Sequence, residues 1–251
     1  MAQLLLEVET SYAEQILNLF RLKEGKYPIP LASTLAHEYS SFTDFSLSPN
    51  SFCLNPQSSS MRLPYTPNPP HMNGTEEEAI LSRILARRGD NGLIALDRTL
   101  LHAPAIADGW NAFMTAIRSR NSLPGDVREL VFCRVAALTG AWYEWDIHSP
   151  IARSEGLGDE VLEVVKGAKE MGAADGAPGL SELQTAVIRY VDAMTLHAHV
   201  ADQVWQGVAK RFNEKELVEL TASVAGFNLV SRFVVALNVD GRNDREASRS
   251  W

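Results

Sequence analysis

Residues 129–148 read ELVFCRVAALTGAWYEWDIH, and the division of this stretch decides the fold. Leu130, Val131, Val135 and Leu138 recur at helical spacing, which predicts an amphipathic helix. Thr139-Gly140 then supplies a break, because glycine loosens a helix and threonine can cap the next one. A second helix is expected from about Ala141, carrying Glu144 and His148 four residues apart on one face. A carboxylate within reach of an imidazole holds its tautomer and favours its charged form, as general acid/base chemistry near neutral pH requires.

These residues carry a resemblance. The stretch resembles the carboxymuconolactone decarboxylase family, which shares its fold with alkyl hydroperoxidase D. In the peroxidase branch a glutamate precedes a Cys-x-x-Cys pair and then a histidine. Laid on this chain, the glutamate falls on Glu129 and the histidine on His148, while the thiol positions fall on Ala141 and Glu144. A dithiol peroxidase cannot run without both thiols. Glu129 with Glu144-x-x-x-His148 therefore looks like the decarboxylase branch, with similarity running from about Met61 to Asn238.

Composition narrows the rest. The 251 residues are 45% hydrophobic, enough for a buried core, and 23 basic against 31 acidic side chains give a net charge of −8. No basic cluster marks a nucleic-acid surface, although an anionic small substrate needs only local positive charge. The two cysteines, Cys53 and Cys133, make no disulfide framework or zinc knuckle, and fit a reducing compartment. The N-terminus MAQLLLEVET lacks a leading basic residue, and no uninterrupted apolar run reaches a membrane span. A soluble cytoplasmic protein is the default, with no nucleic-acid or membrane partner.

Along the chain, residues 1–60 lie outside the resemblance, and the serine-rich part from about Ser33 reads as loop or disorder. Members of the resembled family commonly open with a proline-rich arm just after their initiator methionine, so the resemblance implies a functional start at Met61. Residues 1–60 are then a poorly ordered or dispensable extension, or alternatively a regulatory or targeting arm. A helical domain is expected over residues 61–240, and a polar tail over 241–251. Thr75 to Glu78 reads as a capping box before a helix Ala79 to Arg87. Further helices are predicted over Leu93–Leu101, Ala105–Ser119, Asp159–Lys166, Leu183–Met194, Asp202–Phe212 and Glu214–Leu237. Arg118 falls at an exposed helix end. A weak echo joins ELVFCRVAAL at Glu129 to ELVELTASVAG at Glu216, as duplicated helix pairs would. Strand patterns are absent, so the class is all-α.

Several side chains compete for functional roles. His148 is the foremost candidate, against the plainer reading of a buried histidine bonded to a carbonyl. Glu144 is either its helix partner or a carboxylate perturbed by Trp142, Tyr143 and Trp145. Glu129 is a catalytic partner by resemblance, or a surface charge beside Arg128. Tyr143 either packs in the core or donates its hydroxyl to a substrate carboxylate. Arg232 and Arg134 lie in apolar helices, where an arginine either snorkels outward or pairs with a carboxylate, from substrate or from Glu129. His197 and His199 diverge on a helix and lack a third ligand, so no metal is expected. Cys133 reads as a small core residue.

The resemblance implies an alkyl hydroperoxidase D-like helical fold assembled as a homo-oligomer, trimer or hexamer, with sites near subunit contacts. It implies cofactor-free decarboxylation of a small anionic lactone or keto acid, with His148 as proton donor, Glu144 and Glu129 setting its protonation, and Arg232 or Arg134 holding a carboxylate. Isomerisation and dehydration use the same groups. The rivals are a peroxiredoxin-type hydroperoxidase, disfavoured for want of thiols, and a non-catalytic oligomeric binding protein.

Overall fold

The computed structural model describes residues 61–167, 172 and 175–246. The N-terminal extension expected at residues 1–60 lies outside the described residues. The described chain is helical: α1 (Thr75–Arg88), α2 (Ala95–Leu100), α3 (Pro104–Ser119), α4 (Gly125–Thr139), α5 (Trp142–Ser154), α6 (Asp159–Lys166), α7 (Glu182–Leu196), α8 (Asp202–Ala209) and α9 (Glu214–Ala236). Short 3₁₀ turns at Val239–Gly241 and Asn243–Glu246 follow α9.

The architecture is built around α4, which packs against α5, α6, α7 and α9. The expected amphipathic helix is instead buried nearly all round, because every residue from Glu129 to Leu138 is covered. A helix enclosed on all sides must place any polar side chain against a partner. Glu129 and Arg134 are therefore the informative residues of this helix.

Local chemistry sets the helix limits with a few departures from expectation. Ser181 and Asn213 form capping boxes with Gln184 and Glu216 at the starts of α7 and α9. The box expected at Thr75 and Glu78 does not form; the helix begins at Thr75, and Glu77 reaches back to the Asn73 amide at 2.6 Å. Pro150 sits inside α5 without ending it. By length and mean hydropathy (1.3) α9 is apolar enough to cross a membrane, yet it packs against α3, α4 and α7.

The proline-rich arm is a strap. Arg62 donates its amide to Leu237 O (3.1 Å) and its guanidinium to Ala236 O (2.8 Å). Tyr65 bonds Asp240 (2.9 Å), Arg98 grips Thr66 O (2.7 and 3.0 Å), and the Arg98 guanidinium stacks 4.6 Å from the Tyr65 ring centroid. The residues just past 240, expected as tail, are docked instead: Asn243 donates to Val234 O at 3.0 Å and accepts the Tyr143 amide at 3.1 Å.

Candidate active site

Gly140 makes the site possible. It adopts the left-handed conformation (φ 69°, ψ 22°), with Ala141 N bonded to Ala136 O and Gly140 N to Ala137 O. This pairing is a Schellman motif, which reverses the chain cheaply only where no side chain opposes positive φ. Thr139 does not cap the next helix; its hydroxyl bonds back to Val135 O at 2.7 Å. Asn243 accepts the Tyr143 amide of α5 instead. Helix α5 then folds back along α4 and faces His148 toward Glu129, near the start of α4.

Five side chains form a line of alternating charge. His148 Nδ1 lies 2.7 Å from Glu129 Oε2, and His148 Nε2 lies 3.5 Å from Glu144 Oε2. Arg118 Nη2 stands 3.3 Å from the same Glu144 oxygen, and Arg128 Nε 3.5 Å from Glu129 Oε1. The three central side chains are at most 5% exposed, whereas Arg118 and Arg128 are about one fifth exposed. The order is arginine, glutamate, histidine, glutamate, arginine, and only the ends reach solvent.

Bond lengths distinguish the two sides of the imidazole. The Glu129 contact is a short hydrogen bond, and a carboxylate can only accept, so Nδ1 carries the proton. At 3.5 Å the Glu144 contact is too long for a good bond, and Nε2 stays free of a hydrogen-bond partner. Burial pushes the Glu144 carboxyl up, but His148 and the charges of Arg118 and Arg88 outweigh it and hold that carboxyl below its ordinary range. Glu144 Oε1 and Arg118 Nε are likewise buried and unpartnered.

Aromatic rings wall this line. Phe132 of α4 and Phe227 of α9 stack at 3.6 Å between centroids, and both present edges or faces to the imidazole at about 5 Å (5.1 and 5.0 Å). The Arg118 guanidinium lies over Phe227, 5.1 Å from its centroid. Low local polarity strengthens each electrostatic contact and discourages competing water.

The other expected site residues are elsewhere. Arg134 is buried and bound bidentately to Asp192 of α7 (2.7 and 3.0 Å), with a further bond to Val165 O at 2.9 Å. A guanidinium so engaged ties three helices together and is not offered to a substrate. Arg232 is exposed and bonds to Asn228 one turn back, so it takes the outward course and does not meet Glu129. Tyr143 is buried, with a backbone hydrogen bond at Leu96 of α2; burial first and then the Glu144 charge push its phenol up. It serves as core. His197 and His199 are exposed beyond α7, and no three His, Cys, Asp or Glu side chains group as a metal site among the described residues.

Arg118 and Phe227 are the members that sequence reasoning misses. Arg118 continues the buried stripe of Ala107 and Met114 at helical spacing, a signal masked by its charge and its place in the last turn. Among the described residues, depressions of about 530 Å³ lie between α7 and α8 and, as an apolar groove, between Trp205 and α9. Neither is lined by the His148 line.

With this geometry in view, residues 104–178 match the Carboxymuconolactone decarboxylase family, a segment holding Arg118, Glu129, Glu144 and His148. Over this segment the chain is similar to that family, and its described domain has the alkyl hydroperoxidase D-like all-α fold. An alkylhydroperoxidase AhpD core protein from Ralstonia eutropha JMP134, described as peroxidase-related, superposes with a TM-score of 0.55 at 16% identity, covering 71% of this chain and 90% of that one. A peroxidase-related protein from Silicibacter sp. TM1040 gives 0.55 at 14% identity, covering 70% and 91%. The debrominase Bmp8, as a cysteine-to-alanine variant with 2,3,4-tribromopyrrole, gives 0.51 at 17% identity, covering 65% and 84%. At such identities these likenesses concern the fold. No curated protein matches the chain.

Proposed function

We propose that the domain is an enzyme that decarboxylates a small anionic lactone or related keto acid by cofactor-free acid/base chemistry. One observation carries this reading: a buried imidazole whose Nδ1 is engaged by Glu129 while Nε2 faces Glu144 without a hydrogen bond. Such an imidazole has one nitrogen fixed and one free to exchange a proton.

In the step envisaged, the C–C bond to the substrate carboxylate breaks, carbon dioxide leaves, and the electron pair remains as a dienolate-like carbanion. His148 Nε2–H gives its proton to that carbon and is recharged from solvent. Glu129 and Glu144 flank the imidazole, one at each ring nitrogen. Arg87, Arg88 and Arg118 gather on the Glu144 side against Asp97 and Glu144, so the local field suits an anion. Isomerisation or dehydration would use the same nitrogen.

A peroxidase reading has less support. Ala141 and Glu144 stand where a dithiol would, and Cys133 is fully buried with its thiol pushed up to about 12, by burial first and then by Glu129. Assembly belongs to the proposal too. Val218, Ala225, Leu229 and Ala236 are exposed on α9 at spacings of four and seven, the pattern of a helix that meets another helix. A homo-oligomer, trimer or hexamer, would cover them, and light scattering of purified protein tests it: a monomer at all concentrations removes this part.

The reaction is tested by incubating wild type and His148→Gln with γ-carboxymuconolactone and following carbon dioxide loss by mass spectrometry. Loss in the wild type alone is the expected result. Equal turnover in both proteins removes His148 from the mechanism.

A further inference from the structure

We infer that Arg118 anchors the substrate's carboxylate, that Glu144 accepts a hydrogen bond from an enol hydroxyl of the same molecule, and that the substrate is therefore an enolisable keto acid. The inference rests on the acid/base reading above and narrows its substrate class.

Three arginines stand near Glu144, and they differ in how far they are committed. Arg88 holds Asp97 with two short bonds (2.6 and 2.8 Å). Arg87 is bonded to Asn111 and reaches Asp97 at 3.3 Å. Arg118 has a single long contact, 3.3 Å from Nη2 to Glu144, and its buried Nε–H has no acceptor. A guanidinium presents a planar fork suited to two oxygens, and this one leaves that fork largely unused. A buried donor without an acceptor is unfavourable, and an incoming carboxylate would relieve it.

Position agrees with this role. Arg118 is about one fifth exposed, whereas Glu144 and His148 are 1% and 5% exposed at their side chains. An anion arriving from solvent meets the guanidinium before it meets the carboxylate or the imidazole. Phe227 supports the guanidinium from one side. Beyond it, Glu144 Oε1 is a buried acceptor with no donor, and His148 Nε2 comes next along the line. An unmet donor beside an unmet acceptor is complementary to a molecule with an anionic oxygen and an O–H close together. A simple carboxylate satisfies only the first. It also sets its charge beside Glu144 with nothing between, so the O–H matters for affinity.

The test reads binding and needs no turnover. Glycolate, acetate and methyl glycolate are titrated into wild type, Arg118→Gln and Arg118→Lys, observing the arginine Nε–H and His148 ring resonances by NMR. Circular dichroism checks the fold of each variant. Expected are saturable shifts with glycolate, weaker binding of acetate and none of methyl glycolate. Arg118→Gln should weaken glycolate roughly tenfold or more, with Arg118→Lys between, since an ammonium keeps the charge without the fork. Glycolate binding that survives Arg118→Gln, or no saturable shift at all, overturns the assignment of Arg118. Equal affinity for glycolate and acetate overturns that of Glu144. If glycolate binds as expected but no substrate loses carbon dioxide, the anchor stands and the decarboxylase reading falls.

Discussion

His148 turns Nδ1 to Glu129 Oε2 at 2.7 Å across a chain separation of 19 residues, with both side chains 5% exposed. This one bond decides which imidazole nitrogen remains for chemistry. Replacing Glu129 with Gln lets the amide either accept from Nδ1 or donate to it, so the tautomer is no longer fixed. The expected outcome is a loss of about 10²-fold in kcat with little change in KM, measured by steady-state kinetics.

The acid limb of stability should report on Glu144. Its folded carboxyl is held below the usual range, so its stabilising contribution is present above the unfolded value, about 4.3, and is lost as pH falls through the folded value. Glu144→Gln should therefore unfold more easily than wild type at neutral pH. The gap between their urea midpoints should narrow on acidification below pH 4.

Asp192 exists to neutralise Arg134, since both are buried (0% and 1% exposed). Asp192→Ala leaves a cation uncompensated inside the protein, at a cost of about 3–5 kcal/mol. Chemical denaturation should show a large fall in midpoint, or failure to fold. Arg232→Ala, at an exposed position, should change stability by less than about 0.5 kcal/mol.

Gly226 lets α9 approach α3 closely. A Cβ there would meet Ile117 Cδ1 at 2.7 Å and Phe113 Cε1 at 3.0 Å. Alanine gains up to about 1 kcal/mol in helix propensity, against about 1–3 kcal/mol for overpacking. Crowding should win, giving Gly226→Ala a net loss near 1 kcal/mol by urea titration. Activity should fall further than stability, because Ile117 adjoins Arg118.

Cys133 should be silent. Burial and the Glu129 charge keep its thiol protonated at neutral pH. In a Cys53→Ser background, native protein should show no reaction with a disulfide reagent and consume hydrogen peroxide at the background rate; unfolding should release one reactive thiol.

Much of this was legible beforehand because local chemistry dictates it. The break at Gly140 and the shared face of Glu144 and His148 follow from helical geometry, and Glu129 from the family's motif. The remainder depends on which helix lies against which. Nothing in the spacing of Arg134 tells that Asp192 waits 58 residues away, or that Val165 offers a carbonyl. Arg232 sits in an apolar segment, but its side of α9 faces outward, and a long apolar helix conceals that distinction. Arg118 looked like a solvated helix end until Phe227 and Glu144 arrived from two other helices to receive it.

The strap has a mechanical meaning. With Arg62 bonded to Leu237 and Tyr65 to Asp240, the first and last described segments are zipped together. Tension applied between residue 61 and residue 246 would part these bonds one after another, while the helices around α4 carried little load. The sequence of failure would reach Asn243 early, and with it the acceptor of the Tyr143 amide, at the start of the helix that carries Glu144 and His148. A pull on residues 61 and 246 would thus disturb the start of α5 before it opened the helices around α4.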